Sequence, residues 1–286
     1  MIEQVAGLGD YPVHAVCQTL SVSRAGYYAW FAEVESDRAR RDRELMPWVR
    51  AIFWRHKRRY GARRIAQELK FQGRPCGVAR VANLLKKQGL QAIQPRSFRP
   101  KTTESRHALG YSPNLLCDRK EPRRINEVWV ADITYVRLAT GGFGYLALLL
   151  DMYSRRIVGW EFLEEMTERL VLLALESAIA ARQPQPDLIH HSDRGGQYAG
   201  RRYRGALRRA GMRQSMSRAG NCYDNAILES CFGTIKTELE LDEYPDGLAA
   251  RRELAGYIAY YNLERRHSSL GYVAPYEFES NAPVRN

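Results

Sequence analysis

Cysteine is scarce in this 286-residue chain. Cys17, Cys76, Cys117, Cys222 and Cys231 are odd in number and widely scattered, and no pair has zinc-ligand spacing. That argues against a disulfide framework or a cysteine-based zinc module and leaves reduced structural thiols. Long apolar runs are missing too. The longest, residues 145–150, is far too short to cross a bilayer. Met1-Ile2-Glu3-Gln4 lacks the basic start and apolar core of a secretion signal. A cytoplasmic protein with no membrane partner is therefore expected. Acidic residues are short in the front of the chain, where residues 1–120 hold 23 Lys+Arg against 10 Asp+Glu. Residues 121–286 are nearly neutral, with 21 against 22. A basic front and a neutral back imply one part that grips phosphates and another that does chemistry. The blander alternative is a merely soluble basic protein.

The rest of the composition, 45% hydrophobic and 10% aromatic, is that of a globular chain with room for more than one core. Residues 1–35 form a small helical segment. Val13, Val16, Cys17 and Leu20 have helical spacing, residues 21–23 make a break, and Ser23 is placed to cap a second helix. Residues 36–92 make a helix-turn-helix domain. Leu45, Val49, Ile52 and Phe53 mark an amphipathic helix, and a helix opened by Tyr60-Gly61-Ala62-Arg63-Arg64-Ile65 ends at Gln72-Gly73-Arg74-Pro75. A third helix carries Val78, Val81, Leu84 and Leu85 and stops at Gly89. Cationic polar faces make this a DNA-binding candidate, with Arg63 and Arg64 among the contacts; a purely structural hairpin is the alternative. Residues 93–122 read as a basic, Pro-containing linker, either laid along a phosphate backbone or simply solvated.

Residues 123–280 change to an α/β pattern. Residues 128–136, 143–151 and 157–162 read as a three-strand meander around a Gly141-Gly142 hairpin. A helix with Leu172, Leu175 and Ile179 on its apolar face follows. A short strand over 188–191, a helix over 198–210, a strand over 214–217, and helices over 226–239 and 248–263 complete the order. A mixed five-stranded sheet with helices, of ribonuclease-H-like order, is the fold class expected.

Three carboxylates stand out. Asp132 falls inside a strand among Val128, Trp129, Val130, Ala131 and Ile133, where an ionised group is costly unless paired. Asp193 follows a short strand and precedes Arg194-Gly195-Gly196, which also suits an ordinary Asx turn. Glu229 lies on a helix and shares a face with Asn225 and Lys236. Asp224 reads as that helix's N-cap, and Glu238 and Glu240 as solvent-facing charges. Each residue alone is weak evidence. Together, three carboxylates supply oxygen ligands for two Mg²⁺ ions, with Mn²⁺ able to substitute. Two metals about 3.5–4 Å apart clamp the attacking and leaving oxygens of an in-line displacement at phosphorus.

Four motifs carry a resemblance. They are Trp129-x-x-Asp132-Ile133-Thr134-Tyr135, then His191-Ser192-Asp193-Arg194-Gly195-x-Gln197-Tyr198. Next come Asp224-Asn225-Ala226-x-x-Glu229-Ser230-x-Phe232-x-x-x-Lys236-x-Glu238 and Tyr261-Asn262-x-x-Arg265-x-His267-x-x-Leu270-Gly271. With 35 residues between Asp193 and Glu229, the set resembles the OrfB-type DDE transposases of the third bacterial insertion-sequence family, from about residue 40 onward. The resemblance implies a retroviral-integrase-like catalytic core that cleaves and transfers DNA strands. It makes Asp132, Asp193 and Glu229 both catalytic residues and metal ligands for two ions. It matches Lys236 to a contact with element-end DNA and places Asn225, Arg265 and His267 among the DNA-binding candidates. The partners implied are terminal inverted repeats, target DNA, further copies of the chain, and an upstream reading-frame product as fusion or partner. No sustained heptad repeat is evident, so work as the catalytic portion of a longer protein is expected. Two other functions fit parts of the pattern: a ribonuclease-H-like nuclease that does not join strands, and an inactive DNA-binding regulator.

Overall fold

The computed structural model describes residues 11–31, 35–94, 110–117, 121–217, 226–240 and 243–282. The chain divides into two compact units, Met1–Gln91 and Ala92–Asn286.

The first unit is helical. Helices α1 (Val13–Thr19) and α2 (Arg24–Phe31) fall where the spacing predicts them. Ser23 Oγ accepts from Gly26 N at 3.0 Å, satisfying one of the amides that a helix start leaves without partners. Helix α3 (Asp37–Arg55) starts on Ser36, whose Oγ accepts from Ala39 N at 3.2 Å. Helices α4 (Ala62–Phe71) and α5 (Val78–Lys87) follow. Gly73 and Gly89 end these two helices with φ of 73° and 64°, a backbone region that costs glycine least. Val49, Ile52, Phe53, Ile65, Leu69, Val81 and Leu84 are buried together as the apolar stripes require. Asp42 on α3 accepts from Arg80 (2.7 Å) and Lys87 (3.0 Å), tying α3 to α5.

The second unit is built on a five-stranded sheet of order β3-β2-β1-β4-β5. Its strands are β1 (Val128–Arg137), β2 (Phe143–Asp151), β3 (Ile157–Leu163), β4 (Ile189–Ser192) and β5 (Arg213–Met216). β1 pairs antiparallel with β2 and parallel with β4. Its helices are α6 (Glu168–Arg182), α7 (Gly196–Ala199), α8 (Arg201–Arg209), α9 (Ala226–Glu238), α10 (Gly247–Leu263) and α11 (Pro275–Ser280). Side chains alternate across β1, as the two-residue period of a strand demands. Val128 and Val130 enter a core with Leu228, Phe232 and Ile235 of α9 and Leu254 and Ile258 of α10. Trp129 and Ala131 enter a second core with Leu170, Ala174 and Leu175 of α6 and Tyr203 and Leu207 of α8.

Three expectations change. The buried face of α6 is Leu170, Val171, Ala174, Leu175 and Ala178, while Leu172 and Ile179 are only half-buried. The reason is close approach: a Cβ on Gly159 of β3 would stand 2.4 Å from Ala174 O and 2.6 Å from Ala178 Cβ. The single helix expected over residues 198–210 is broken at Gly200 into α7 and α8. Gly200 is extended there, and Glu168 of α6 supplies the missing cap, accepting from Tyr203 N at 3.0 Å. Residues 110–117, read as linker, run beside β5. Leu115 N donates to Ser215 Oγ (2.9 Å), and Ser112 Oγ donates to Gln214 Oε1 (2.8 Å). Residues 95–109 and 118–120 of that stretch lie outside the described residues. No helix among the described residues is long and apolar enough to cross a membrane.

Candidate active site

Strand register brings two of the three carboxylates together. Along the parallel β1–β4 ladder, Val128 faces Ile189 and Ala131 faces Ser192. Asp132 is the next residue of β1, and Asp193 is the first residue past the end of β4. Both therefore lie near the end of β4, close enough for the charge of Asp193 to act on Asp132. The alternation that buries Val128 and Val130 under α9 turns Asp132 toward the same side. Glu229 lies in the first turn of α9 and is exposed there.

Electrostatics report the same convergence. Burial, and after it the negative charge of Asp193, push the Asp132 carboxyl up to about 7. Glu229 adds to the rise, while the Ile133 amide and the Lys236 ammonium oppose it. Asp132 Oδ1 accepts from Ile133 N at 2.8 Å. Asp193 Oδ1 accepts from Gly195 N at 2.9 Å, so this residue makes its Asx turn while also facing Asp132. Lys236 is half-buried over the Tyr135 ring, with Nζ 4.6 Å from the centroid. Burial lowers its ammonium from the usual value and Asp132 holds it up. As they stand, no three acidic, histidine or cysteine side chains among the described residues form a set that could hold an ion.

The other expected residues separate into three groups. Arg63 is exposed and Arg64 half-buried in the first turn of α4, where the Arg64 guanidinium lies 5.6 Å from the Tyr60 ring centroid. Asn225 and Asp224 lie outside the described residues. Arg265 and His267 are not at a surface. Arg265 is buried, its Nη2 2.7 Å from Glu238 Oε1 and its Nε 3.0 Å from both Glu238 oxygens. This corrects two expectations: Arg265 is not free for a phosphate, and Glu238 is not a solvent-facing charge. Tyr257 OH donates to Glu238 Oε2 at 2.9 Å, and His267 packs edge-on against Tyr261. Asn262, in the same tail motif, clasps the start of β3: Ile157 N donates to Oδ1 and Nδ2 donates to Ile157 O, both at 2.9 Å. The tail motif thus fastens α9 and α10 to the sheet.

Tyr198 closes the His191–Tyr198 motif, and nothing in the sequence assigns it a role. It is fully buried, its hydroxyl has no hydrogen-bond partner among the described residues, and burial together with the charges of Asp132 and Asp193 raises it well above the usual tyrosine range. Its position two residues after a Gly-Gly turn carries no signal of that burial.

Comparisons with known proteins fit this arrangement. Integrase core domain profiles match residues 122–222 and 210–275, and an HTH-like domain profile matches residues 40–98. The chain is 42% identical over 269 residues to an insertion element IS600 protein of 31 kDa from Shigella sonnei, covering 92% of this chain and 97% of that one. It is 38% identical over 275 residues to transposase InsF for insertion sequence IS3A of Escherichia coli strain K12, covering 95% of each. A simian T-cell lymphotropic virus intasome chain matches it with a TM-score of 0.50 at 15% identity, covering 84% of this chain and 76% of that one.

Proposed function

Because the chain belongs to the IS3-type insertion-sequence transposases, polynucleotidyl transferases on an integrase core, we propose that Asp132, Asp193 and Glu229 form its DNA-cleaving and strand-joining centre. The observation that carries this reading is the parallel β1–β4 register, which ends at Ala131 and Ser192, the residues just before Asp132 and Asp193. Burial, and after it repulsion from the charge of Asp193, impose a cost on the ionised Asp132 carboxylate and raise its pKa. Divalent cations relieve that cost. The donors are hard carboxylate oxygens, which fit Mg²⁺ or Mn²⁺, two per site. When bound, such a pair stabilises both the attacking and the leaving oxygen of an in-line displacement at phosphorus.

The chain's own groups do the rest. The amides of Ile133 and Gly195 each hold one carboxylate oxygen and so orient the other outward. Glu229, from α9, would supply the third carboxylate of the set. Lys236, kept partly desolvated beside Asp132, presents a cation to a phosphate of the scissile strand. The helical unit, with Arg63 exposed on α4, binds the element's terminal repeats. Two ends have to be paired, so the working form is an oligomer, alone or as a fusion with an upstream reading-frame product.

The test is Mn²⁺ binding by calorimetry, with cleavage and joining of oligonucleotides carrying the terminal repeats. Asp132→Asn and Glu229→Gln are expected to abolish joining and weaken metal binding while leaving DNA binding in place. Hydrolysis without joining would favour a nuclease, and wild-type protein that binds DNA but no metal would sink the assignment.

A further inference from the structure

Helix α8 and the strand after it carry six arginines: Arg201, Arg202, Arg204, Arg208, Arg209 and Arg213. Elsewhere in the same unit, four arginines are matched to acids. Arg182 and Arg156 pair with Glu279, Arg251 with Glu161, and Arg265 with Glu238. Those arginines hold the fold together. On α8 no such pairing occurs: among the described residues, none of the six has a carboxylate within ion-pair distance. Like charges at helical spacing repel, so the row is a cost to this helix rather than a support.

The row also has a shape. Arg201, Arg204 and Arg208 recur at helical spacing and line one cavity of about 550 Å³ with Ser112 and Gln214. Arg204 donates from Nη2 to Gly110 O at 2.7 Å, yet its Nε is buried with no hydrogen-bond partner among the described residues. A buried, unpaired guanidinium N–H is an expensive thing to leave unmade. Gln214 Nε2 donates to Tyr198 O at 2.7 Å, which ties the cavity wall to the short helix that follows Asp193.

We propose that the Arg201–Arg204–Arg208 face of α8 is a second DNA-binding surface, gripping the sugar–phosphate backbone of duplex DNA without reading its sequence. The proposal deepens the function above and rests on it for the identity of the polyanion. Guanidinium suits this ligand better than ammonium because its planar fork matches two phosphate oxygens at once. From Arg201 to Arg208 the helix advances about 10 Å, the axial span of about three successive phosphates on one strand. No base-reading group accompanies the row: Ser112 and Gln214 are already bonded to each other. Binding there is therefore expected to be indifferent to sequence and strongly dependent on salt.

The experiment measures affinity of the full chain for a random-sequence duplex in EDTA across a series of salt concentrations. Each lost phosphate contact lowers the log–log salt slope by about 0.9. Arg201→Ala/Arg208→Ala, which leaves the Arg204–Gly110 bond intact, is expected to lower the slope by about 1.8 with an unchanged melting temperature. The triple variant with Arg204→Ala is expected to lower it further, and Arg201→Lys/Arg208→Lys to retain most of it. An unchanged slope in the double alanine variant would overturn the proposal. So would displacement of the duplex by polyglutamate or single-stranded RNA more readily than by unlabelled duplex, since the face would then serve another partner. Metal-free binding separates this outcome from the fate of the catalytic assignment. Arginine-dependent binding without cleavage in Mn²⁺ would leave this surface standing and remove the active site; cleavage with arginine-independent binding would do the reverse.

Discussion

Replacing Arg265 by alanine separates a buried lock from a DNA contact. The guanidinium is 4% exposed and its partner Glu238 is 6% exposed. Three donor contacts of 2.7–3.0 Å join them, and the Tyr257 hydroxyl adds a fourth to Glu238. Burial alone would pull the Arg265 pKa down, but the bonds and charge of Glu238 raise it above the ordinary arginine value, so the pair is ionic. Removing one member takes the cationic partner from a buried carboxylate, at a cost of about 3–5 kcal/mol. For a unit of this size, each kcal/mol shifts the melting temperature by about 2–4 °C, so a drop of roughly 10 °C is expected. Calorimetric melting, with anisotropy binding to a terminal-repeat duplex at a temperature where both proteins are folded, reads out both quantities. Arg265→Ala is expected to melt early and bind DNA with wild-type affinity. The double replacement Glu238→Leu/Arg265→Met is expected to recover most of the loss, because a well-packed apolar pair avoids the desolvation penalty. Strand joining should suffer in the single variant more than binding does, since Glu238 is on the helix that carries Glu229 and Lys236. Weaker DNA binding at an unchanged melting temperature would refute the lock and return Arg265 to the surface.

Proton linkage at Asp132 gives a second outcome. Its folded pKa, about 7, exceeds the ordinary carboxylate value of 3.8, so the protonated form is favoured in the fold. Metal-free stability from this group is then fullest below about pH 4 and is lost as pH rises toward 7. Melting in EDTA from pH 4 to 8 checks this, and the same slope in Asp132→Asn would contradict it. Metal competes with that proton, so Mn²⁺ affinity should rise about tenfold per pH unit below 7 and level off above, as calorimetry would record. Gly159→Ala should cost about 1–3 kcal/mol in denaturant unfolding, because the new methyl meets Ala174 O and Ala178 Cβ; an unchanged midpoint would mean that α6 packs less closely than 2.4 Å implies. Tyr198→Phe removes a buried hydroxyl that has no partner among the described residues, so metal-free stability should hold or rise slightly; a loss above about 1 kcal/mol would reveal a bond to that oxygen.

Local pattern was enough for much of this protein. Periods of two and of 3.6 residues placed the meander, most of the helices and most of the buried stripes, because side-chain direction repeats with the backbone that carries it. The alternation along residues 128–136 already put Asp132 on one face with Val128 and Val130. Chemistry in short motifs picked out Asp193 and Glu229. Partnership across the chain could not be read that way. Glu238 and Arg265 are 27 residues apart and each looks like a surface charge on its own helix or tail; only the packing of α10 under the sheet turns them inward together. Glu168 caps α8 from a different helix, so no local signal marks the break at Gly200. The approach of Asp193 to Asp132 needed the parallel register of β1 with β4, whose hydrogen bonds join strands some sixty residues apart in the chain. The α8 arginines likewise acquire meaning from what does not lie opposite them, a property of three-dimensional neighbourhood that composition and spacing do not encode.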